Sequence, residues 1–251
     1  MTNIDKYFYR DRVSLNVLAN SIENAKEVYE AAEGNVLIGL LSKNYDTLDE
    51  AVSSMKKYDA AIDGAVSIGL GGGDSKQAVM VANIVKFYEG SHINQVFPLV
   101  GTTRANLGNR DSWINALVSP SGKAGYVTIS TGTISSNMKE QAVVPIQSAI
   151  ALVKDMGGNA LKFYPMDGLA CKEELHAVTK ACAKANFALE PTGGINLNNF
   201  EIILDMALEV GVPRIIPHVY SSIVNKETGK TNVEDVKTLV TTMKRLVDKH
   251  A

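Results

Sequence analysis

Short apolar runs alternate with longer segments of helical period along the chain from about Asn35 onward. Such alternation of strand and helix signals is typical of a parallel sheet, in which a helix connects each strand to the next. About eight strand–helix units fit a closed barrel, whereas an open doubly wound sheet more often has about five or six strands. The sequence therefore predicts an α/β fold, a (β/α)8 TIM barrel, with strands at residues 36–41, 64–70, 96–100, 116–119, 142–146, 160–163, 187–190 and 214–217.

The segments between these strands carry helical patterns, and no Pro/Gly/Ser-rich linker or block of charge interrupts them. A single barrel domain over residues 1–251 is therefore the simplest interpretation. Two segments depart from it, because residues 122–136 are rich in strand-forming residues where a helix is expected, and residues 1–20 form a short N-terminal extension. The predicted helices are residues 21–32, 47–57, 75–88, 148–156, 172–185, 198–210 and 233–249.

Composition and charge exclude several classes of function. Hydrophobic residues make up 45% and charged residues 21% of the chain, which is typical of a soluble globular protein with a sizeable core. The formal net charge of −2 and the lack of a dense Lys/Arg cluster argue against a nucleic-acid partner. The sequence contains neither a signal peptide nor an apolar run long enough for a membrane partner, so a cytoplasmic protein is expected. Cys171 and Cys182 lie too far apart on one predicted helix to form a disulfide.

Lys162 stands inside a short apolar strand, in the segment GGNALKFYPMDG. The active site of a TIM barrel lies at the C-terminal ends of its strands, so this lysine is expected near the barrel mouth. Burial lowers the pKa of a lysine, and only the neutral amine can attack a carbonyl carbon to form a Schiff base. The alternative is a lysine at a strand end whose ammonium group reaches solvent.

The segment ALEPTGGIN supplies a second group of candidates. Glu190 ends an apolar strand, and Thr192 points to the same side because side chains alternate along extended chain. Gly193 and Gly194 expose backbone N–H groups just before a helix, an arrangement that suits a phosphate at the seventh strand of a barrel. Alternatively, the glycines form an ordinary tight turn and Glu190 pairs with a lysine inside the barrel.

Three further loops carry polar residues that could bind an anionic substrate. The segment IIPHVYSSIV follows the last predicted strand and could share a phosphate with the two-glycine turn. The segment VGTTRAN contains an arginine suited to a bidentate contact with a carboxylate or phosphate, and VSPSGK contains hydroxyl groups. Each has a plainer explanation as a helix cap, a surface arginine or a turn. The candidates in these loops are His218, Tyr220, Ser221, Ser222, Arg104 and Ser119.

The order of these motifs is more specific than any one of them. K-F-Y-P ends one strand, P-T-G-G-I follows about 26 residues later, and a serine-bearing loop follows the last strand. This series resembles the 2-keto-3-deoxy-6-phosphogluconate aldolases, and VVPIQS and VSPS resemble two further segments of that family. The resemblance covers roughly residues 116–224. It implies that Lys162 is the Schiff-base lysine and that residues 191–195 contact the substrate and bind its phosphate.

The N-terminal half departs from that family. The common aldolases carry a glutamate on their second strand as the general base, and the corresponding stretch here, VSIGLGGGD, has none. Glu190 is therefore expected to take over the proton transfer. The chain looks like the divergent branch of glucosaminate-type breakdown, also called 4-hydroxy-2-oxoglutarate aldolase-like.

This resemblance implies a class I aldolase of carbohydrate metabolism. Its small-molecule partner would be a phosphorylated 2-keto-3-deoxy sugar acid, 2-dehydro-3-deoxy-6-phosphogluconate, cleaved to pyruvate and glyceraldehyde 3-phosphate. No cofactor and no metal would be needed, and the protein would be a homo-oligomer, since the common family forms trimers.

Two other functions remain open from the sequence. A metal-assisted barrel lyase or isomerase could use Glu190, Asp167 and His218 as ligands. A non-catalytic phosphosugar-binding protein could have kept the anion-binding loops and lost the reaction. The sequence gives the metal-assisted alternative little support, because no spacing of His, Cys and Asp residues resembles that of a zinc site.

Overall fold

The computed structural model describes residues 4–251, and its centre is a closed barrel of parallel strands. The barrel strands with regular ladders are β1 (Leu15–Leu18), β2 (Val36–Leu41), β3 (Val66–Gly69), β4 (His92–Val96), β5 (Trp113–Pro120), β8 (Ala160–Phe163) and β9 (Ala188–Pro191). Each pairs in parallel with the next in that order. Ile215 and His218 close the barrel through parallel bridges to the β9 side and to the β1 side. The predicted (β/α)8 TIM barrel is confirmed.

Helices surround the barrel and bury one apolar face each. In α8 the buried residues recur every three or four positions, from Val236 and Leu239 to Met243 and Leu246, which is the period of one helix face. The Asn232 side chain begins this helix by accepting a hydrogen bond from the amide of Glu234 at 2.9 Å. Within residues 4–251 the helices are α1 (Ile22–Ala31), α2 (Leu48–Ala61), α3 (Ala78–Ile84), α4 (Val100–Leu107), α5 (Ile146–Asp155), α6 (Lys172–Lys184), α7 (Phe200–Glu209) and α8 (Val233–Lys249).

None of the helices in the described part of the chain combines the length and the apolar character that crossing a bilayer requires.

The N-terminal segment differs from its prediction. Residues 15–18 are the first barrel strand, so only the residues before them form an extension. The sequence hid this strand because Asn16, which is fully buried and points into the barrel, interrupts the apolar run. The preceding residues lie against the barrel strands, where the rings of Phe8 and Trp113 are 5.9 Å apart.

Residues 142–146 were predicted as a barrel strand, and this prediction is wrong. They belong to a small antiparallel sheet that leaves the barrel after β5, in which β6 (Tyr126–Thr128) pairs with both β5 and β7 (Val143–Pro145). Val143 is 47% exposed, so this segment has strand-forming residues without a buried position in the barrel. The strand predicted at residues 96–100 is also displaced, because residues 97–107 form a 3-10 turn and α4.

The inside of the barrel is polar. Side chains of Asn16, Ser67, His92, Asn94 and Asn115 are at most 1% exposed, and they point inward from β1, β3, β4 and β5. Lys162 and Glu190 lie opposite each other in the β8–β9 ladder, so they join this interior side by side. A buried polar cluster of this size is costly unless every group has a partner, so the barrel interior is where chemistry is expected.

Candidate functional site

Lys162 is held inside the barrel rather than extended into solvent. It is 7% exposed, and its Nζ donates a hydrogen bond to Asn94 Oδ1 at 2.8 Å. Asn94 is itself fixed, because its Nδ2 donates to the carbonyl of Ile68 at 3.0 Å. Burial lowers the pKa of Lys162 to about 8, although the charge of Glu190 acts in the opposite direction. The amine can therefore lose its proton much more readily than a surface lysine.

A cavity of about 370 Å³ opens above Lys162 at the C-terminal ends of the strands. Six of the predicted site residues line this cavity, and Tyr220 also lines it. It also includes Lys43 and Tyr164, which the sequence did not single out. The predicted residues in the wall are Lys162, Thr192, Gly193, Gly194, His218 and Ser221.

Glu190 lies beneath this cavity and is not part of its wall. Its side chain is fully buried, and both carboxylate oxygens accept hydrogen bonds. Trp113 Nε1 donates at 2.9 Å and Asn115 Nδ2 at 2.5 Å, and the imidazole nitrogens His92 Nε2 and His218 Nε2 lie 3.0 and 2.8 Å from the carboxylate oxygens. The prediction that Glu190 takes a proton from the substrate directly needs correction, because this carboxylate has no face left for a substrate.

The charge on Glu190 is stabilised by its neighbours. Burial alone would raise the pKa of this carboxyl group, but the charges and hydrogen bonds of His92 and His218 outweigh burial and lower the pKa below its ordinary value of 4.5. Glu190 is therefore an ionised positioning residue that fixes the two imidazole rings.

Several residues that hold Glu190 and Lys162 were not predicted from the sequence, including His92, Asn94 and Asn115. A signal was available in the segment HINQV, where the polar residues His92 and Asn94 stand two positions apart on either side of Ile93. In a strand of a barrel, that alternation places one set inward. The fully buried side chain of His92 shows that this set faces the interior.

Three buried side chains lie close enough together to be considered as metal ligands, namely His92, Glu190 and His218. Each offers one ligand atom, and these atoms lie within 4.8 Å of one another. The imidazole nitrogens, however, are 2.8 to 3.1 Å from the carboxylate oxygens, whereas two ligands of one tetrahedral zinc ion are roughly 3.3 Å apart. The three groups are therefore hydrogen-bonded to each other and are too close together for the ligands of a tetrahedral zinc ion. Asp167, the third ligand of the metal hypothesis, is exposed at the cavity rim instead.

The two-glycine turn after β9 packs closely against the loop after β8. Gly193 and Gly194 have φ angles of 102° and 70°, and the amide of Gly168 donates to the carbonyl of Gly193 at 2.9 Å. A Cβ atom on Gly194 would overlap the Gly168 nitrogen. The turn therefore requires glycine both for its backbone angles and for its contact.

Replacing Gly194 by alanine should lower the free energy of unfolding by roughly 2 to 4 kcal/mol, because the new Cβ adds an overlap to an unfavourable φ. Gly211 is the matched control, since it has a φ of 80° and nothing within 4 Å of an added Cβ. Urea unfolding of Gly194→Ala and Gly211→Ala separates the two effects. Equal losses of stability would contradict the close contact.

Three predicted binding residues lie outside the cavity wall. Arg104 packs where the C-terminal turn of α4 meets the loop before β8. Its guanidinium donates to the carbonyls of Gly157 at 2.9 Å and Ser112 at 2.9 Å, so it is not available to a substrate. Ser222 donates to the carbonyl of Ile195 at 2.7 Å and joins two loops. Ser119 lines a smaller cavity of about 180 Å³ that adjoins the first, since Tyr164 and Pro165 line both.

Arg104→Ala should therefore change stability and not substrate affinity. Loss of its hydrogen bonds to buried carbonyls should lower the free energy of unfolding by roughly 1 to 3 kcal/mol. The KM for a phosphorylated keto acid should stay within about twofold of the wild-type value. A large rise in KM with unchanged stability would restore Arg104 as a substrate ligand.

Comparison with known proteins gives the family that the sequence motifs resemble. The sequence profile of the KDGP aldolase family matches residues 9–227. The 2-dehydro-3-deoxy-phosphogluconate aldolase of Salmonella typhimurium strain 14028s is 46% identical over 244 residues, which is 96% of this chain and 98% of that protein.

Among solved structures the similarity extends to the fold alone. The (S)-3-O-geranylgeranylglyceryl phosphate synthase of Thermoplasma acidophilum has a TM-score of 0.57 at 12% identity, covering 98% of this chain and 99% of that one. The carboxyl transferase domain of Rhizobium etli pyruvate carboxylase has a TM-score of 0.53 at 10% identity and covers 96% of this chain. This chain spans only 48% of that structure. On the match to its profile and to the Salmonella protein, the chain belongs to the KDGP aldolase family.

Proposed function

We propose that the protein is a class I aldolase, a carbon–carbon lyase that cleaves 2-dehydro-3-deoxy-6-phosphogluconate to pyruvate and glyceraldehyde 3-phosphate. The observation that carries this proposal is the buried amine of Lys162, whose pKa is lowered and which faces a cavity. The name of the Salmonella relative supports the substrate. That residues 1–251 form a single domain, that the protein is cytoplasmic, and that it is a homo-oligomer stay predictions.

The reaction begins when the neutral amine of Lys162 attacks the C2 ketone of the substrate. Loss of water gives a protonated imine, which acts as an electron sink for the C3–C4 bond. Removal of the C4 hydroxyl proton breaks this bond and releases glyceraldehyde 3-phosphate. The remaining enamine is protonated at C3 and hydrolysed to pyruvate, which regenerates the free amine.

The substrate phosphate fits the end of the cavity formed by the two-glycine turn and the loop after His218. Within residues 4–251, the amides of Gly194, Ile195 and Ser221 have no hydrogen-bond acceptor in the protein. Such free amides, with Lys43 in the same wall, suit a dianion. Thr192 lies beside Lys162 and is placed for the carboxylate end.

The test is the formation of pyruvate from 2-dehydro-3-deoxy-6-phosphogluconate by the purified protein, with and without EDTA. The proposal predicts turnover that EDTA does not affect and that borohydride abolishes only when substrate or pyruvate is present. Turnover that needs a divalent cation and resists borohydride would indicate the metal-assisted lyase instead. Binding of the sugar acid without any product would indicate the phosphosugar-binding protein.

A further inference from the structure

Six side chains beneath the cavity form a closed ring of hydrogen-bonded contacts, which we call the proton ring. Five of them are buried, and Tyr220 is partly buried. The contacts are Glu190 Oε2 to His218 Nε2 at 2.8 Å, His218 Nδ1 to the Tyr220 hydroxyl at 3.0 Å, that hydroxyl to Asn16 Oδ1 at 2.7 Å, Asn16 Nδ2 to Ser67 Oγ at 2.8 Å, Ser67 Oγ to His92 Nδ1 at 2.7 Å, and His92 Nε2 to Glu190 Oε1 at 3.0 Å.

Each of these six contacts needs one proton between its two heavy atoms. The hydroxyls of Tyr220 and Ser67 supply one proton each, and a neutral imidazole supplies one. The Asn16 amide supplies one, because one of its two ring contacts is made by its nitrogen, which donates, and the other by its oxygen, which accepts. Together with two neutral imidazoles and an ionised carboxylate, the ring has about five protons for its six contacts.

This shortage does not depend on how the groups are oriented. Rotating the Asn16 amide or exchanging a histidine tautomer moves the empty contact around the ring without changing the total. Tyr220 keeps its proton, because burial, and then the charge of Glu190, raise the pKa of its hydroxyl. A buried contact between two acceptors is unfavourable, so the ring has a place for one more proton.

The orientation of the ring identifies that place. Tyr220 donates to Asn16, and Asn16 Nδ2 donates to Ser67. Because Ser67 Oγ also accepts from Asn94 Nδ2, its own proton goes to His92 Nδ1, which leaves His92 Nε2 to donate to Glu190. The single proton of a neutral His218 is used toward Tyr220, so the empty contact is the one between His218 and Glu190.

Lys162, which lines the same cavity as His218, can supply this proton. The titratable groups around His218 are Glu190, His92, Lys162 and Tyr220. Burial, and then the positive charge of Lys162, lower the pKa of His218, and the second effect disappears when the amine of Lys162 is neutral. His218 and Lys162 therefore compete for one proton near the Glu190 carboxylate. A proton on Lys162 prevents its amine from attacking a carbonyl carbon. A proton on His218 fills the empty contact of the ring.

We propose that the proton ring accepts the proton of Lys162, and that His218 exchanges protons with the reacting groups through the hydroxyl of Tyr220, which contacts His218 Nδ1 and belongs to the cavity wall. Of the ring members, only His218 and Tyr220 line the cavity with Lys162. This inference rests on the proposed function for its chemistry, although the protonation state of the ring can be measured independently.

The proton balance closes over one turnover. After the neutral amine adds to the ketone, His218 gives its proton, through the Tyr220 hydroxyl, to the departing hydroxyl, the C–O bond breaks, and water leaves. His218 then accepts the C4 hydroxyl proton by the same route as the C3–C4 electron pair moves into the imine to form the enamine. It returns that proton to C3, and finally accepts one from the water that hydrolyses the pyruvate imine. One water is released and one is consumed, and the ring ends with the proton it had at the start.

The first test is ¹⁵N NMR of the full chain labelled at histidine, at about pH 7. The sequence has 4 histidines, so the signals are few, and His218→Gln assigns the one of interest. We expect both nitrogens of His218 to carry protons. In Tyr220→Phe, removal of the hydroxyl leaves about four contacts and four protons, so His218 should become neutral. A neutral His218 in the wild type would overturn the proposal.

The second test is the rate at which cyanoborohydride traps pyruvate on the protein as a function of pH. In the wild type, transfer of the proton within the site should keep the rate within about twofold between pH 6 and 8. In Tyr220→Phe the amine should titrate alone, with the rate falling roughly tenfold per pH unit below about 8. Tyr164→Phe is the matched control, because Tyr164 lines the same cavity but donates to Gly72 outside the ring, so the flat profile should persist.

The two tests separate this inference from the proposed function. If pyruvate is trapped but the wild type and Tyr220→Phe have the same pH profile, the aldolase proposal stands and the proton ring is wrong. If His218 carries two protons but no pyruvate is trapped, the proton ring stands and the Schiff-base mechanism is wrong.

Discussion

Lys162→Met should lose turnover by roughly 10⁴-fold or more, because the imine on which the proposed reaction depends forms on the amine of Lys162. Methionine is chosen because it is close to lysine in length and apolar, so it fills the site without a buried charge. The free energy of unfolding should stay equal to the wild-type value or rise, since a buried amine is costly.

The control for Lys162→Met is the other lysine in the cavity wall. Lys43→Ala should still form an imine with pyruvate, because pyruvate lacks the phosphate for which Lys43 is proposed. Its KM for the phosphorylated substrate should rise. Stopped-assay measurement of pyruvate release and borohydride trapping check both variants. Substantial turnover by Lys162→Met would contradict the proposed mechanism.

Glu190→Gln is expected to have the second-largest effect. The four nitrogen atoms that face the carboxylate would meet an amide that accepts at one end only, and a buried charge interaction would be lost. The free energy of unfolding should fall by roughly 3 to 5 kcal/mol at neutral pH. Turnover should fall at least about 100-fold, because both imidazole rings lose their common anchor.

The pH dependence of this loss has a defined sign. The pKa of Glu190 is lower in the folded protein than its ordinary value of 4.5, so its stabilising effect is present above that value and disappears as the pH falls below it. The difference in unfolding free energy between wild type and Glu190→Gln should therefore be largest near neutral pH and shrink in acid. Glu201→Gln is the control, since that carboxylate forms an exposed pair with Arg245 and should change stability little. If the difference in unfolding free energy between wild type and Glu190→Gln grew in acid, this would contradict the ionised state of Glu190.

The sequence was most informative where a residue type is unusual for its position. Lys162 in an apolar strand and the pair Gly193–Gly194 are such cases, and the structure places all three in one cavity. The barrel followed from the alternation of strand and helix patterns, although its first strand was hidden by Asn16.

The sequence was least informative where a contact depends on distant parts of the chain. Glu190 was correctly expected to point into the barrel, but the donors from β4 and β5 that surround it lie 98 to 75 residues away. No local pattern shows that these donors close off the carboxylate and leave His218 at the cavity. Arg104 illustrates the opposite case, because its loop suggests an anion site while its hydrogen bonds go to backbone carbonyls.

The most direct measurement is borohydride reduction of the protein with pyruvate, followed by mass mapping of its peptides. We expect one adduct, with the mass of a reduced pyruvate imine, on the peptide that contains Lys162 and on no other lysine. A protein that turns over substrate with Lys162 unmodified, or an adduct on Lys43 instead, would contradict the proposed imine on Lys162.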